Sequence, residues 1–189
     1  MKPDYIYPLC FECGLCCNGV IFANVELGAE DRRASQLLPG LAAGAASAET
    51  NPDSGKRGVA GARQSRIATR KFPQPCAAFD GCRCRIYDDR PRYCREFECL
   101  LLRDVNAGRM DRAAALRVIR TARQRAERVK RLLMELGDDE EHVALSIRFR
   151  RIKRRMERQA SDDEAVEIFS RLTLAVHELN VLLREAFYR

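Results

Sequence analysis

The chain has 189 residues, of which 34 are Lys or Arg and 27 are Asp or Glu, for a formal net charge of +7. That length can bury a core of its own, so the expectation is one domain, or a small domain with a helical extension, whose stability does not come from metal alone. No run approaches the roughly 20 apolar residues needed to cross a bilayer, and Met1 to Cys10 hold no apolar signal segment, so a cytoplasmic protein without a membrane partner is expected.

In chain order, the first 27 residues carry Cys10, Cys13, Cys16 and Cys17 and then Val20 to Leu27, a β-branched run that reads as a strand. A short helix is expected to start near Glu30. Leu41 to Gly58, dominated by small and turn-forming residues, reads as a mobile loop. Ser65 to Phe72 reads as a second strand, after which Pro73 and Pro75 stiffen the approach to Cys76. Asp89 has the character of an N-cap, with Arg90 or Pro91 as the first helical residue. Five residues at about 100° each would set Cys94 and Cys99 roughly 140° apart on one helix, so both reach one centre only if the helix bends or ends between them.

The last third is helical. Ala115, Ile119, Ala122, Ala126, Val129, Leu133 and Leu136 follow alternating steps of four and three, an apolar seam that Gly137 ends. The acids Asp138 to Glu141 are expected to open the next helix, with Leu145, Phe149, Ile152 and Met156 on its buried face. Ser161 to Glu164 has the form of a capping box and opens a third helix with the seam Ala165, Phe169, Leu172, Val176, Leu179, Leu183 and Ala186. The short connections favour an antiparallel bundle within the chain; a protein partner on this extension, or a dimer, is the alternative.

The nine cysteines fall into two clusters, Cys10 to Cys17 and Cys76, Cys82, Cys84, Cys94 and Cys99. Thiols bind metal as thiolates, and crowded thiolates repel one another unless a cation or an inorganic core neutralises them, so this crowding points to a metal site. A reducing compartment and an odd count both argue against a disulfide framework. Cys10-x-x-Cys13 suits a knuckle in which backbone N–H groups face sulfur, with Gly14 in the following turn. Cys10, Cys13 and Cys16 also have the spacing that grips three irons of a four-iron cluster, so zinc and iron both stay open. Cys16 and Cys17 are adjacent and point to opposite sides of an extended segment, which assigns them to different sites or to a shared dinuclear centre.

Two tetrathiolate sites around divalent ions carry about −2 each and would remove roughly four units of positive charge. Arg83, Arg85, Arg90, Arg92 and Arg95 sit inside the second cluster, either donating to sulfur or simply solvated. Tyr87 and Asp88 either order thiolates or act as an aromatic anchor and a turn acid. Arg148, Arg150, Arg151, Lys153, Arg154, Arg155 and Arg158 form a candidate nucleic-acid patch. Phe149 and Ile152 within it belong to a buried seam, however, and no aromatic stacking platform accompanies it, so a nucleic-acid partner is not expected. His142 and His177 lie far along the chain from the cysteines and read as residues of helical segments rather than as bases or ligands. With no glycine-rich phosphate loop or dinucleotide fingerprint, no catalytic residue is assigned and enzymatic activity stays open.

Cys10-x-x-Cys13-Gly14-x-Cys16-Cys17, then Pro75-Cys76, then Cys84-x-Ile86-Tyr87-x-x-Arg90-Pro91-x-x-Cys94-Arg95-x-Phe97-x-Cys99 resembles the cysteine signature of the YkgJ family. The resemblance implies zinc or iron chelation by Cys10, Cys13, Cys16, Cys17, Cys76, Cys84, Cys94 and Cys99 and leaves the biological process open; some relatives are associated with lysine methylation of flagellin. Three features depart from the family pattern. Cys82 is an additional thiol, Glu98 stands where a proline is common, and Ala77-Ala78-Phe79 replaces a more usual Pro-Phe-Leu. The resulting expectation is an α-rich α+β protein, with a cysteine-cluster module over residues 1–103 and a three-helix antiparallel extension over residues 104–189. It chelates zinc or iron; the alternatives are an iron–sulfur protein with a redox or protein-modifying role and a zinc-stabilised module that binds nucleic acid or protein.

Overall fold

A computed structural model describes residues 6–38, 70–81, 83–158 and 162–188. The loop expected over Leu41 to Gly58, the start of the second strand at Ser65, Cys82 and Ser161 lie outside the described residues. Along the chain come α1 (Ile6–Cys13), β1 (Asn24–Leu27), α2 (Arg32–Leu37), β2 (Arg70–Pro73), α3 (Arg92–Glu96), α4 (Leu100–Asn106), α5 (Arg112–Glu135), α6 (Leu145–Arg158) and α7 (Asp163–Ala186). The described chain is mostly helical, and no helix in it is long and apolar enough to cross a membrane.

β1 and β2 pair antiparallel, with Val25 opposite Phe72. Alternation along β1 turns Val25 and Leu27 inward, where they form a small core with Leu38, Phe72 and Ala78. The strand read from Val20 starts only at Asn24, because the preceding residues are committed to turns. Cys17 N and Asn18 N both donate to Gly14 O, Ile21 N donates to Leu15 O, and the Asn18 side chain accepts from Val20 N.

The first Cys-x-x-Cys pair also differs from the expected knuckle, since Cys10 and Cys13 occupy the last turn of α1. Gly14, at φ +65°, closes that helix as its left-handed terminal residue, and its N–H donates to Cys10 O at 3.0 Å.

α3 begins later than expected, with Pro91 as N-cap and Arg92 as the first helical residue. Asp89 pairs with Arg33 instead of capping. The acceptor for the first turn of α3 arrives from far away in sequence: Asp31, 3% exposed, takes Gly28 N on one carboxylate oxygen at 2.8 Å and Arg92 N on the other at 2.7 Å. After Glu96 the chain runs extended through Phe97 to Cys99, which caps α4. The helix therefore ends between Cys94 and Cys99 even though Glu98 is not a proline.

All seven seam residues of α5 are buried, and Gly137 at φ +77° follows its C-cap. The ion pairs Glu135–Arg171 and Arg128–Glu178 join late α5 to early α7 and earlier α5 to later α7, which makes the two helices antiparallel. α7 is capped by Asp162, whose carboxylate accepts from Ala165 N at 2.7 Å, one residue later than the box beginning at Ser161. Its buried face holds Leu172, Ala175, Leu179 and Leu183, with Ala165, Phe169, Val176 and Ala186 half-buried alongside. On α6, Leu145 and Ile152 are buried, and Phe149 and Met156 pack partly against the core.

The acids before α6 do not open it, because the helix starts at Leu145 with no acid in its first turn. Asp138 is buried and accepts from Arg148 Nε at 2.6 Å, while the second arm of Arg148 reaches the Asp138 carbonyl at 2.8 Å. This removes Arg148 from the basic patch. Arg155 donates to the Leu136 carbonyl and Arg151 pairs with Glu140, so the α5 terminus and its following loop consume further members of that patch. His177 lies on the exposed face of α7, and His142 is exposed in the turn before α6 rather than in a helix.

The helical core is continuous with the first cysteine segment: Leu9, Leu15 and Val20 pack with Leu101, Leu102 and the seams of α5 to α7. Leu145 N donates to Gly19 O, Leu100 N to Phe187 O and Tyr188 Oη to Ile21 O.

Candidate metal centre

Cys10, Cys13, Cys16, Cys17, Cys76, Cys84, Cys94 and Cys99 all line one cavity of about 140 Å³. They reach it from separate segments. Cys10 and Cys13 share a face of α1, being one turn apart. Cys16 and Cys17 sit in the turn that Gly14 starts, and Cys76 N donates to Cys17 O at 2.8 Å, joining the two clusters through the backbone. Cys84 is held by a bridge to Phe79, Cys94 sits within α3, and Cys99 Sγ accepts from Leu102 N at 3.4 Å.

The thiols divide by what they pack against. Cys13 and Cys99 lie on the helical core, whereas Cys76, Cys84 and Cys94 lie on the sheet core. The adjacent pair splits between them: Cys16 has Cys13, Cys99 and Cys10 as thiol neighbours besides Cys17, while Cys17 has Cys76, Cys94 and Cys84 as well as Cys10. Cys16 thus keeps company with Cys13 and Cys99, Cys17 with Cys76, Cys84 and Cys94, and Cys10 neighbours both.

Burial raises the pKa of these thiols first and foremost, because a thiolate loses its hydration there. Cys13, Cys17 and Cys94 are pushed up to about 12, Cys16 well above its ordinary value, and Cys76, Cys84 and Cys99 also upward. Neighbouring thiols add to this for Cys13, Cys16, Cys17, Cys76 and Cys94. Pulling the other way are backbone N–H groups, from Leu15 to Cys13, from Ala78 and Phe79 to Cys76, and from Ile86 to Cys84. Arg123, Arg85 and Arg90 favour the thiolates of Cys13, Cys76 and Cys84 respectively, and Arg90 also that of Cys94. The donor set is therefore soft and supplied with N–H groups, and its buried thiols need added positive charge to ionise, which suits a zinc or iron ion. Among the described residues, no group of three or more His, Cys, Asp or Glu side chains is set to hold a metal ion as the side chains stand.

The arginines of the second cluster chiefly fasten the backbone around the sulfurs. Arg85 donates to Ala77 O, Arg90 to Tyr87 O and Arg95 to Arg90 O, while Arg92 pairs with Glu30 and Glu96. A carbonyl oxygen is a better acceptor than a protonated thiol. Tyr87 serves as an aromatic anchor, edge-on to Phe11 with its ring 3.4 Å from the Arg90 guanidinium, and Asp88 is exposed.

Two residues that the sequence did not single out matter here. Asp31 positions α3, and hence Cys94, through a contact with no local signature. Gln74 is 2% exposed in the cavity wall, and its Oε1 has no hydrogen-bond partner among the described residues.

Residues 9–114, more than half of the chain and a span that contains all eight of these cysteines, match the family model described as "CxxCxxCC: Putative zinc- or iron-chelating domain". No curated protein and no solved structure matches the chain.

Proposed function

The chain belongs to this CxxCxxCC family, and from that premise we propose that it binds zinc or iron through the eight thiols of the cavity. The observation that carries the reading is that eight cysteines from segments far apart in sequence line one cavity. Cys10, Cys13, Cys16 and Cys99 form one set of ligands, and Cys17, Cys76, Cys84 and Cys94 the other. A bound metal supplies the positive charge that lets buried thiols ionise. The protein contributes the N–H donors, the arginines that steady the second loop, and a largely apolar surround. In this reading residues 1–103 bind the metal and residues 104–189 cover it, in a cytoplasm that keeps the thiols reduced.

The test is elemental analysis of protein purified without oxygen. Zinc or iron in stoichiometric amount is expected, and a folded sample with neither refutes the proposal.

A second reading, an iron–sulfur core with a redox or protein-modifying role, is favoured by one observation. Cys10, Cys13 and Cys16, whose spacing suits three irons of a four-iron cluster, all line the one cavity. Broad absorption at roughly 400 nm from thiolate-to-iron charge transfer would select it over colourless zinc.

A further inference from the structure

We propose that the sheet part of this chain is a metal-operated latch: a centre on Cys17, Cys76, Cys84 and Cys94 clamps β1, β2 and α3 over the thiols of Cys10, Cys13, Cys16 and Cys99 and controls access to them. The proposal rests on the metal reading above and adds to it that the two sets of thiols have unequal roles.

The described chain packs as two bodies. β1 packs on β2 and on α3 around the small core of Val25, Leu27, Leu38, Phe72 and Ala78, whereas α1, α4, α6 and α7 pack on α5 around a core of 20 buried residues. Among the described residues, no element of one body packs extensively on an element of the other. An extended stretch from Phe97 to Cys99 joins α3 to α4. A two-stranded sheet is marginal by itself, and a body this small commonly needs a metal to stay folded. The helical body does not, because its long seams bury one another.

The thiols follow the same division, with one exception that makes the latch. Cys10 and Cys13 lie on α1, Cys99 caps α4, and Cys76, Cys84 and Cys94 pack on the sheet core. Cys17 belongs by chain to the helical side, in the turn that Gly14 starts, yet its thiol neighbours include Cys76, Cys94 and Cys84. A centre on those four thiols ties one body to the other. Beside it stand a single backbone bond, Cys76 N to Cys17 O at 2.8 Å, and the contacts of Phe79 with Gly14 and of Pro75 with Gly19. Both bodies wall the cavity, Ile119 and Phe187 from the helical one and Val25 and Phe79 from the sheet side. Local opening of the sheet body therefore uncovers the helix-side thiols.

The experiment loads the full-length protein with zinc, or with iron(II) if zinc is not taken up, withdraws the metal stepwise with EDTA and reads amide hydrogen exchange by mass spectrometry at each step. Residues 70–81 and 83–96 should lose protection as the first part of the metal leaves, while α5 and α7 stay protected. Cys17→Ser, a change outside the sheet body, should strip protection from the same residues before any EDTA is added. It should also let EDTA remove the remaining metal faster than from wild type. Two bodies that lose protection together, a sheet body that stays protected after all metal has gone, or a Cys17→Ser protein whose sheet body is still protected overturns the latch while leaving metal binding intact. Should Cys17→Ser fail to fold, the order of loss in the wild-type titration decides. Wild type that takes up neither ion refutes the metal reading itself.

Discussion

Gly14 carries two separate demands, and replacing it by Ala should expose both. Its φ of +65° is a conformation in which a Cβ crowds the following carbonyl, at a cost of about 1 kcal/mol or somewhat more. In addition, a Cβ there would stand 2.8 Å from Phe79 Cζ, a distance that real contacts do not show. Pushing the ring aside should add about 2 kcal/mol, within the usual range for overpacking. Gly108 is the matched control, at φ +70° with nothing within 4 Å of its Cβ direction. Urea denaturation should therefore show Gly14→Ala losing about 3 kcal/mol and Gly108→Ala about 1 kcal/mol. Phe79→Leu shortens the obstructing ring, so a double-mutant cycle between positions 14 and 79 should return a coupling of about 2 kcal/mol. Phe79 also bridges Cys84, so the Gly14 variant should bind less metal than the Gly108 variant. Equal losses for the two glycines, or no coupling to position 79, would refute the steric argument.

Cys13→Ser should lower metal content and stability, whereas Cys82→Ser should do neither; equal loss in both, by elemental analysis, contradicts the ligand assignment. If the thiols act as two sets, Cys16→Ser with Cys99→Ser should cost no more metal than either alone, whereas Cys16→Ser with Cys17→Ser should cost the sum. In metal-free protein, Cys13, Cys17 and Cys94 are raised from 9.0 to about 12, so the folded state holds their protons more tightly than the unfolded chain does. Their contribution is thus fully present below about 9 and is lost as pH rises toward 12, and urea midpoints should fall across that window; flat midpoints would count against burial as the cause. Asp138→Ala leaves the Arg148 guanidinium buried and unpaired and should cost about 3–5 kcal/mol in chemical denaturation. Arg151→Ala, from the exposed pair with Glu140, should cost less than about 1 kcal/mol.

What could be read from the sequence was whatever repeats locally. The α5 seam follows from spacing alone, because burial along a long helix is set by its period, and every residue named in it is buried. The eight cysteines that line the cavity were legible as a group because clustered thiols have few other uses. Errors arose wherever a distant group decided a local outcome. Asp89 has the local character of a cap, but the α3 N-terminus is satisfied by Asp31, which stands near it only after β1 and α2 have formed. Asp138 has the character of a helix-opening acid until Arg148, on α6, claims it. Cys-x-x-Cys is compatible with a knuckle or with a helical turn. The difference lies in Leu9, whose burial against the helical core draws α1 into the structure.

The surplus of positive charge takes on a different meaning once the cavity is considered. At about −2 for each of two tetrathiolate centres, metal loading would bring the formal +7 to roughly +3. Some of the responsible arginines are local, as Arg85 and Arg90 are. Arg123 is not: it projects from α5, donates to Glu12 O at 2.9 Å and favours the Cys13 thiolate. Ile119 of α5 and Phe187, just past α7, complete the cavity wall. The helices therefore contribute both apolar cover and positive charge to the sulfurs. The two effects oppose one another, since cover raises the cost of a thiolate and the guanidinium lowers it. Burial is the larger for Cys13, which leaves its ionisation to depend on an added cation.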